Sequence, residues 1–445
     1  MLNRRAALQG AAAIAASLGL PAVAQTAKRK PNVVIVLADD LGYGDVGAFG
    51  GRMIKTPNLD RMAREGAKLT SFYASANLCT PSRAGLMTGR YPIRTGLAWQ
   101  VIQPNDTNGL PLSEITIAEA LKPDYVTALV GKWHLGHVAP FWPPTNHGFD
   151  SFFGLPYSHD MKPLSLYTAG PGVEFTKEDV DFPHLTRRFF DRGLKFIEDN
   201  AQRPFFLLLT LTAPHVPLNP NPDEHAHSQA GAYGDVVQEV DTNVGYLLAK
   251  LRKLGLERDT LVIVTSDNGP WFQGSAGGFR DRKGGASFDG GYRVPMIARQ
   301  PGVIPAGLVS TGLAMNIDFL PTVMAWTGRP LPGAELDGRD ITPLLTKRNA
   351  ASPHDELVLF NNEQVVAIRT DRWKLAARSY YRTIDFPMSA YSNLLFDLKA
   401  DPAESYDVSS AHPDVLADMT ARLNKARALF EPMGTHPPPP PVTPK

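Results

Sequence analysis

Four apolar runs in this 445-residue chain share one shape. Val33-Val34-Ile35-Val36-Leu37, Tyr125 through Val130, Phe205 through Leu211 and Leu261-Val262-Ile263-Val264 are continuous rather than alternating, as strands buried on both faces of a parallel sheet are. Helix-period stretches lie between them. Thr56-Pro57 opens one, with Leu59, Met62 and Ala63 at helical spacing and Gly66 as its stop. A longer one carries Val237, Val240, Val244, Leu247, Leu248 and Leu251 on one stripe and ends at Gly255. The alternation predicts an α/β fold built from βαβ units.

Each apolar run stops in residues capable of chemistry. The four endings are Asp39-Asp40-Leu41-Gly42, Gly131-Lys132-Trp133-His134, Thr212-Ala213-Pro214-His215 and Ser266-Asp267-Asn268-Gly269. In open α/β sheets the ligand crevice lies outside the carboxyl ends of the strands, so these four segments are predicted to converge. From about Ala351 the pattern changes. Short runs at Glu356–Phe360, Val365–Arg369 and Trp373-Lys374-Leu375, then a helical stretch from Val415 to Leu429, predict a smaller antiparallel sheet with a helix. The expected division is a catalytic domain over 31–348, a C-terminal α+β subdomain over 351–431 and a proline-rich tail over 432–445. No internal repeat is evident.

Charge narrows the partners. With 45 basic against 44 acidic residues the net charge is +1, which argues against a nucleic-acid or acidic-membrane partner and makes any positive field local. Asn3-Arg4-Arg5, an alanine-rich apolar stretch to Leu20 and Pro21-Ala22-Val23-Ala24 have the parts of a secretory signal over 1–24. The expected location is therefore periplasmic or secreted. Adjacent Arg4-Arg5 also fits twin-arginine export, which leaves the route open. No other segment is long and apolar enough for a stable membrane span.

The one cysteine, Cys79, has no internal disulfide partner. A free cysteine is most often a small buried hydrophobe. Cys79-Thr80-Pro81-Ser82-Arg83, however, reads as a surface-type turn running into a helix, which puts Cys79 at a helix N-terminus where an anion is favoured. Asp39, Asp40, Asp267 and Asn268 are hard oxygen ligands of the kind that select calcium or magnesium over zinc. Either pair alone equally suits a cap or a turn. Their recurrence at two strand ends favours the metal. Arg83, Lys132, His134, His215 and Lys283 add cationic groups, and Gly284-Gly285 and Gly290-Gly291 could let backbone approach a ligand. Together these residues point to a small anion held beside a metal.

Cys79, Pro81 and Arg83 with Thr88-Gly89-Arg90 resemble the signature of type I sulfatases, in which the cysteine is oxidised to formylglycine (3-oxoalanine) by a maturing enzyme. The resemblance extends from Pro31 to about Ser410. It takes in Asn32 through Gly44, Gly131 through Gly136, Pro214-His215, Ser266 through Pro270, Lys283-Gly284 and Asp397 through Glu404. Gly154 through Asp160 is similar to a stretch of the arylsulfatase A and N-acetylgalactosamine-6-sulfatase group, which makes Ser158 a substrate-binding candidate. The resemblance implies an alkaline-phosphatase-like mixed sheet flanked by helices, with the smaller C-terminal sheet and helix. It also implies cleavage of an aryl or carbohydrate sulfate ester. Asp39, Asp40, Asp267, Asn268 and residue 79 would hold Ca2+ or Mg2+. Catalytic roles would fall to Cys79, Arg83, Lys132, His134, His215 and Lys283, of which Lys132, His215 and Lys283 also bind substrate. Loops Leu97–Pro111 and Tyr167–Asp181 are expected to shape the pocket. The rivals are a formylglycine-dependent phosphoester or phosphonate hydrolase and a non-catalytic calcium-dependent binder of sulfated glycans.

Overall fold

Val33 through Val36 lie completely buried at the centre of a ten-stranded sheet. The computed structural model describes residues 29–223, 227–285, 287–377, 379–381, 384–386 and 393–436. The expected signal segment 1–24 and residues 437–445 of the expected tail 432–445 fall outside the described residues.

The strands, in chain order, are β1 (Asn32–Ala38), β2 (Ala67–Leu69), β3 (Phe72–Tyr73), β4 (Val126–Lys132), β5 (Ser151–Leu155) and β6 (Leu166–Gly170). Next come β7 (Val173–Glu178), β8 (Phe205–Thr210), β9 (Thr260–Ser266), β10 (Met296–Arg299), β11 (Leu308–Ser310) and β12 (Ala314–Met315). The large sheet has the order β11-β2-β10-β9-β1-β8-β4-β5-β6-β7, and β3 and β12 form a separate parallel pair. From β9 through β5 the strands run parallel. β10 is antiparallel to β9, and β6 is antiparallel to β5. The four continuous apolar runs are thus the four middle strands. Both faces of each are covered, and of their residues only Val126 is partly exposed.

Successive side chains point to opposite faces and build two cores. Val33, Ile35 and Leu37 pack with the helices Cys79–Thr88 and Phe319–Thr327. Val34, Val36 and Ala38 pack with Pro57–Glu65, Leu185–Asp199 and Gly231–Lys253. Of the described helices, none is long and apolar enough to cross a membrane.

A four-stranded antiparallel sheet follows, built from β13 (Leu357–Asn361), β14 (Gln364–Arg369), β15 (Trp373–Ala376) and, after the short pair β16 (Ser379–Tyr381) and β17 (Ile384–Phe386), β18 (Leu394–Asp397). The helix Pro413–Phe430 covers it with Met419, Leu423 and Phe430.

A buried ionic cluster fastens this sheet to the rest. Lys374 Nζ on β15 lies 2.8 Å from Asp289 Oδ1 and 2.7 Å from Glu404 Oε1. Glu404 Oε2 accepts the Asp289 backbone N–H at 2.7 Å, and its carbonyl accepts from Arg280 at 2.9 Å. Burial pushes the Glu404 carboxyl up to about 7, against the pull of Lys374. Taking one partner from such a cluster leaves charge in a dry place. Lys374→Met is therefore expected to lower stability by about 3–5 kcal/mol in urea unfolding followed by far-ultraviolet circular dichroism.

Candidate active site

Strand register decides what meets what. Leu37 stands opposite Thr210 on one side and Thr265 on the other, and Gly131 is also opposite Thr210. The parallel strands therefore end level with one another. The Asp39 N–H donates to the Ala213 carbonyl at 2.9 Å and the Asp267 N–H to the Ala38 carbonyl at 3.0 Å, so the segments stay paired just past the sheet. Gly131 has φ +122°, and a Cβ there would lie 1.8 Å from the Thr210 carbonyl oxygen. Only glycine allows that approach. Lys132 and His134 follow it, and the His134 N–H is held by the Pro156 carbonyl at 3.0 Å. Asp40 (φ 69°) and His134 (φ 58°) both take the left-handed backbone that side chains other than glycine rarely adopt.

Ligand atoms of Asp39, Asp40, Cys79 and His215 all lie within 4.8 Å of one another. The Cys79 thiol donates to Asp39 Oδ1 at 3.5 Å. Lys132 Nζ is 2.7 Å from Asp39 Oδ2, and Lys283 Nζ is 2.7 Å from Asp40 Oδ1. Two N–H groups of Arg83, Nε at 3.0 Å and Nη2 at 2.9 Å, bind Asp267 Oδ2, while its Nη1 reaches the Lys132 carbonyl at 2.8 Å. Asn268 Nδ2 donates to Asp40 Oδ1 at 2.8 Å, and His215 Nε2 is 3.7 Å from Asp40 Oδ2.

Opposed charges and burial set the ionisation of this cluster. Burial alone would raise the Asp39 carboxyl, but Lys132, His215, Arg83 and Lys283 hold it well below the ordinary range. Burial and the neighbouring Asp39 push Asp267 up to about 6 despite Arg83. Burial would lower Lys283, yet Asp40, with Cys79, Asp39 and Asp267 behind it, more than offsets that and keeps the ammonium charged. Burial, then Lys132 and Arg83, depress His134 far below its usual value, so its ring is neutral. Its Nε2 faces the Ile102 carbonyl at 3.0 Å and must carry the proton; Nδ1 is buried with no hydrogen-bond partner. His215 has the other arrangement, with Nδ1 donating to the Val216 carbonyl at 2.5 Å and Nε2 facing the carboxylates.

The donor set fits a hard divalent cation. Asp39 and Asp40 supply carboxylate oxygens within the tight group, Asp267 lies outside it with Oδ2 held by Arg83, and Asn268 Oδ1 is a buried carbonyl oxygen with no partner. An orphaned acceptor on an amide that also bonds Asp40 has the chemistry of a calcium or magnesium ligand.

The segment around Cys79 is not the surface turn expected from its sequence. It is the buried first turn of the helix Cys79–Thr88, with Cys79 only 2% exposed. Pro81, Gly85 and the apolar Ala84, Leu86 and Met87 let the helix sink between the sheet and the helix Phe319–Thr327. The intervening residues, which sequence reading passed over, tie the site together. The Thr80 hydroxyl donates to the His134 carbonyl at 2.9 Å and accepts the Ile102 N–H at 3.1 Å. The Ser82 hydroxyl donates to the Asp267 carbonyl and accepts from Asn316 Nδ2 at 2.8 Å. Asn77 Nδ2 donates to the Gly285 carbonyl, joining the Cys79 and Lys283 segments. Hydroxyls at alternate positions inside a buried helix turn were the available signal, since each must find a partner.

Over these groups opens a cleft of about 400 Å3, into which Cys79, His134, Ser158, His215 and Lys283 face. Ser158 lies beside Asp160; burial would raise the Asp160 carboxyl, but Ser158, His215 and Lys132 together hold it below its ordinary value. Gln100, Val101, Gln103 and Pro104 bring the 97–111 loop into the wall. Residues 167–181 contribute nothing to it. They form most of the β6–β7 hairpin at the sheet edge, where pairing in register with β5 carries them away from the strand ends.

A sequence model described as Sulfatase matches residues 31–329, and one described as N-sulphoglucosamine sulphohydrolase, C-terminal, matches 278–429. Human arylsulfatase A is 38% identical over 439 residues, covering 87% of this chain and 86% of the relative. The chain belongs to the sulfatase family. Mouse steryl-sulfatase is 33% identical over 524 residues, covering 92% of this sulfatase and 84% of the relative. The crystal structure of the PsFucS1 sulfatase from Pseudoalteromonas sp. superimposes with a TM-score of 0.82 at 29% identity, covering 90% of each chain. The large mixed sheet with flanking helices and the small antiparallel sheet are the alkaline-phosphatase-like architecture expected, and the protein is an enzyme that hydrolyses sulfate esters.

Burial pushes the Cys79 thiol of this sulfatase up to about 12, with Lys132 and Lys283 only partly opposing. At pH 8 the thiolate is then about one part in ten thousand. In protein recovered with cysteine at position 79, iodoacetamide is expected to label it at least about a hundredfold more slowly than in the urea-unfolded chain. The rate should climb about tenfold per pH unit up to pH 10. Rapid labelling at pH 8 would contradict the buried, neutral thiol.

Proposed function

We propose that this sulfatase cleaves aryl or carbohydrate sulfate monoesters through residue 79 as formylglycine, beside a calcium or magnesium ion. What carries this reading is the convergence of the Cys79 sulfur, the Asp39 and Asp40 carboxylates, His215 and Lys283 from distant segments onto one cleft. A thiol pushed to about 12 is a poor nucleophile at neutral pH. The hydrated aldehyde supplies instead one hydroxyl to take sulfate from the alcohol and a second whose deprotonation releases it.

Asp39, Asp40, Asp267, Asn268 and residue 79 would hold the metal, which supplies Lewis-acid polarisation of a sulfate oxygen. Lys132 and Lys283, each fixed on a carboxylate, stabilise the remaining oxygens as negative charge shifts. Arg83 holds Asp267 and the end of β4, and so orients the nucleophilic residue. Lys283, with His215 once its Nε2 also carries a proton, protonates the departing alcohol. His134 is neutral with a bare Nδ1, and acts as the base of the release step. Ser158 contacts the substrate from the far wall. The signal-like residues 1–24 support export to the periplasm or beyond, and a separate maturing enzyme is the required partner.

For matured protein, kcat/KM for p-nitrophenyl sulfate is expected to exceed that for the phosphate and phosphodiester analogues. Mass spectrometry of the peptide holding residue 79 should show the aldehyde. A preference for phosphorus, or a free thiol with no turnover, would overturn the reading in favour of the phosphoester hydrolase or the glycan binder respectively. His134→Ala is expected to lower kcat by about 10²–10⁴ with KM little changed. Chelation with EDTA should abolish turnover and lower the thermal midpoint, with Ca2+ or Mg2+ restoring both.

A further inference from the structure

Beside the catalytic cleft lies a larger cavity of about 620 Å3, well within the about 300–1,000 Å3 of ordinary ligand sites. Gln100, Val101 and Gln103 line both, so the two spaces adjoin along the 97–111 loop. The residues the second cavity does not share with the first include Trp99, Asn105, Asp106, Thr107 and Asn108.

Its chemistry differs from that of the catalytic cleft. Lys162 and Lys283 line the first space, whereas no lysine or arginine lines the second, and Asp106 is there instead. A heavily sulfated chain entering it would meet only His436, which is already paired with Glu363 at 3.2 Å. A steroid or lipid would strip water from four side-chain amides without pairing them. A neutral sugar suits both parts of the wall. Its hydroxyls can exchange hydrogen bonds with Gln100, Gln103, Asn105 and Asn108, and its C–H faces can lie on the indole of Trp99.

The wall is also set in advance. Trp99 stacks on His436 with ring centroids 4.2 Å apart and planes 10° apart. Glu363 accepts the His436 N–H at 2.8 Å and the Thr435 N–H at 2.9 Å, which fixes the stacking partner. Asp106 Oδ2 accepts the Gln103 N–H at 2.7 Å, and Gln100 Nε2 donates to Asn362 Oδ1 at 3.2 Å. A platform already ordered costs little to bind.

We propose that this cavity receives the neutral sugar units joined to a single sulfated unit, so that the substrate class is a sparsely sulfated oligosaccharide. The proposal rests on the sulfatase reading, and the experiment separates the two. Matured enzyme is given p-nitrophenyl sulfate, singly sulfated gluco-, galacto- and fuco-configured monosaccharides, the corresponding singly sulfated tetrasaccharides, and their fully sulfated counterparts. For at least one configuration, kcat/KM is expected to be about tenfold or more higher for the singly sulfated tetrasaccharide than for both the monosaccharide and the fully sulfated chain.

Trp99→Ala is expected to cut the ratio of tetrasaccharide to p-nitrophenyl sulfate kcat/KM by about tenfold, mainly through KM. Asn105→Lys, on an exposed position, should shift preference towards the fully sulfated chain by about threefold or more. No gain from added neutral units in any configuration, preference for the fully sulfated chain, or ratios unmoved in both variants would overturn the proposal while turnover of p-nitrophenyl sulfate left the sulfatase reading intact. Failure on every sulfate with the aldehyde present would defeat that reading itself.

Discussion

Like charges in a dry crevice govern this structure. Asp39, Asp40 and Asp267 sit at the ends of neighbouring strands, all within 1% of complete burial. Carboxylates packed this closely away from water repel strongly and would take up protons or push the strands apart. Lys132, Lys283 and Arg83 each face one of them at contact distance, and a bound divalent ion would add to the same compensation. The ends of four strands can therefore meet only if the helix beginning at Cys79 and the loop carrying Lys283 are in place. Fold and site are consequently one electrostatic problem, in which Lys132 at the end of β4 and Arg83 and Lys283 from the connections offset acids that lie just past β1 and β9.

The sheet was legible because its signal is coarse. Continuous runs of β-branched and aliphatic residues have few other uses, and in each parallel strand the chemistry comes just after the run. The C-terminal strands and the helix Pro413–Phe430 were readable for the same reason. Antiparallel β10, its neighbour β2 and the edge strand β11 carried no such signal, being only three or four residues long.

The site was legible in its charged members and obscure in its hydroxyls and amides. Thr80, Ser82 and Asn316 look like ordinary polar residues in one dimension, and only their burial shows that each must pair. The stretch 167–181 was misread because Gly170, Pro171 and Gly172 suggest a loop, whereas the backbone pairs as a hairpin around them. The 97–111 loop was placed correctly at the pocket, but its adjoining cavity depends on His436, more than three hundred residues away in sequence.

Glu404 sits far along the chain from every residue that touches the cleft, yet it grips the turn at Asp289 that follows Lys283. A shortened gene product could retain the nucleophile, both histidines and all the acids and still lack this clasp. Loss of Glu404 should therefore reach the active site through the Asp289 turn, although the residue itself does not line the cleft.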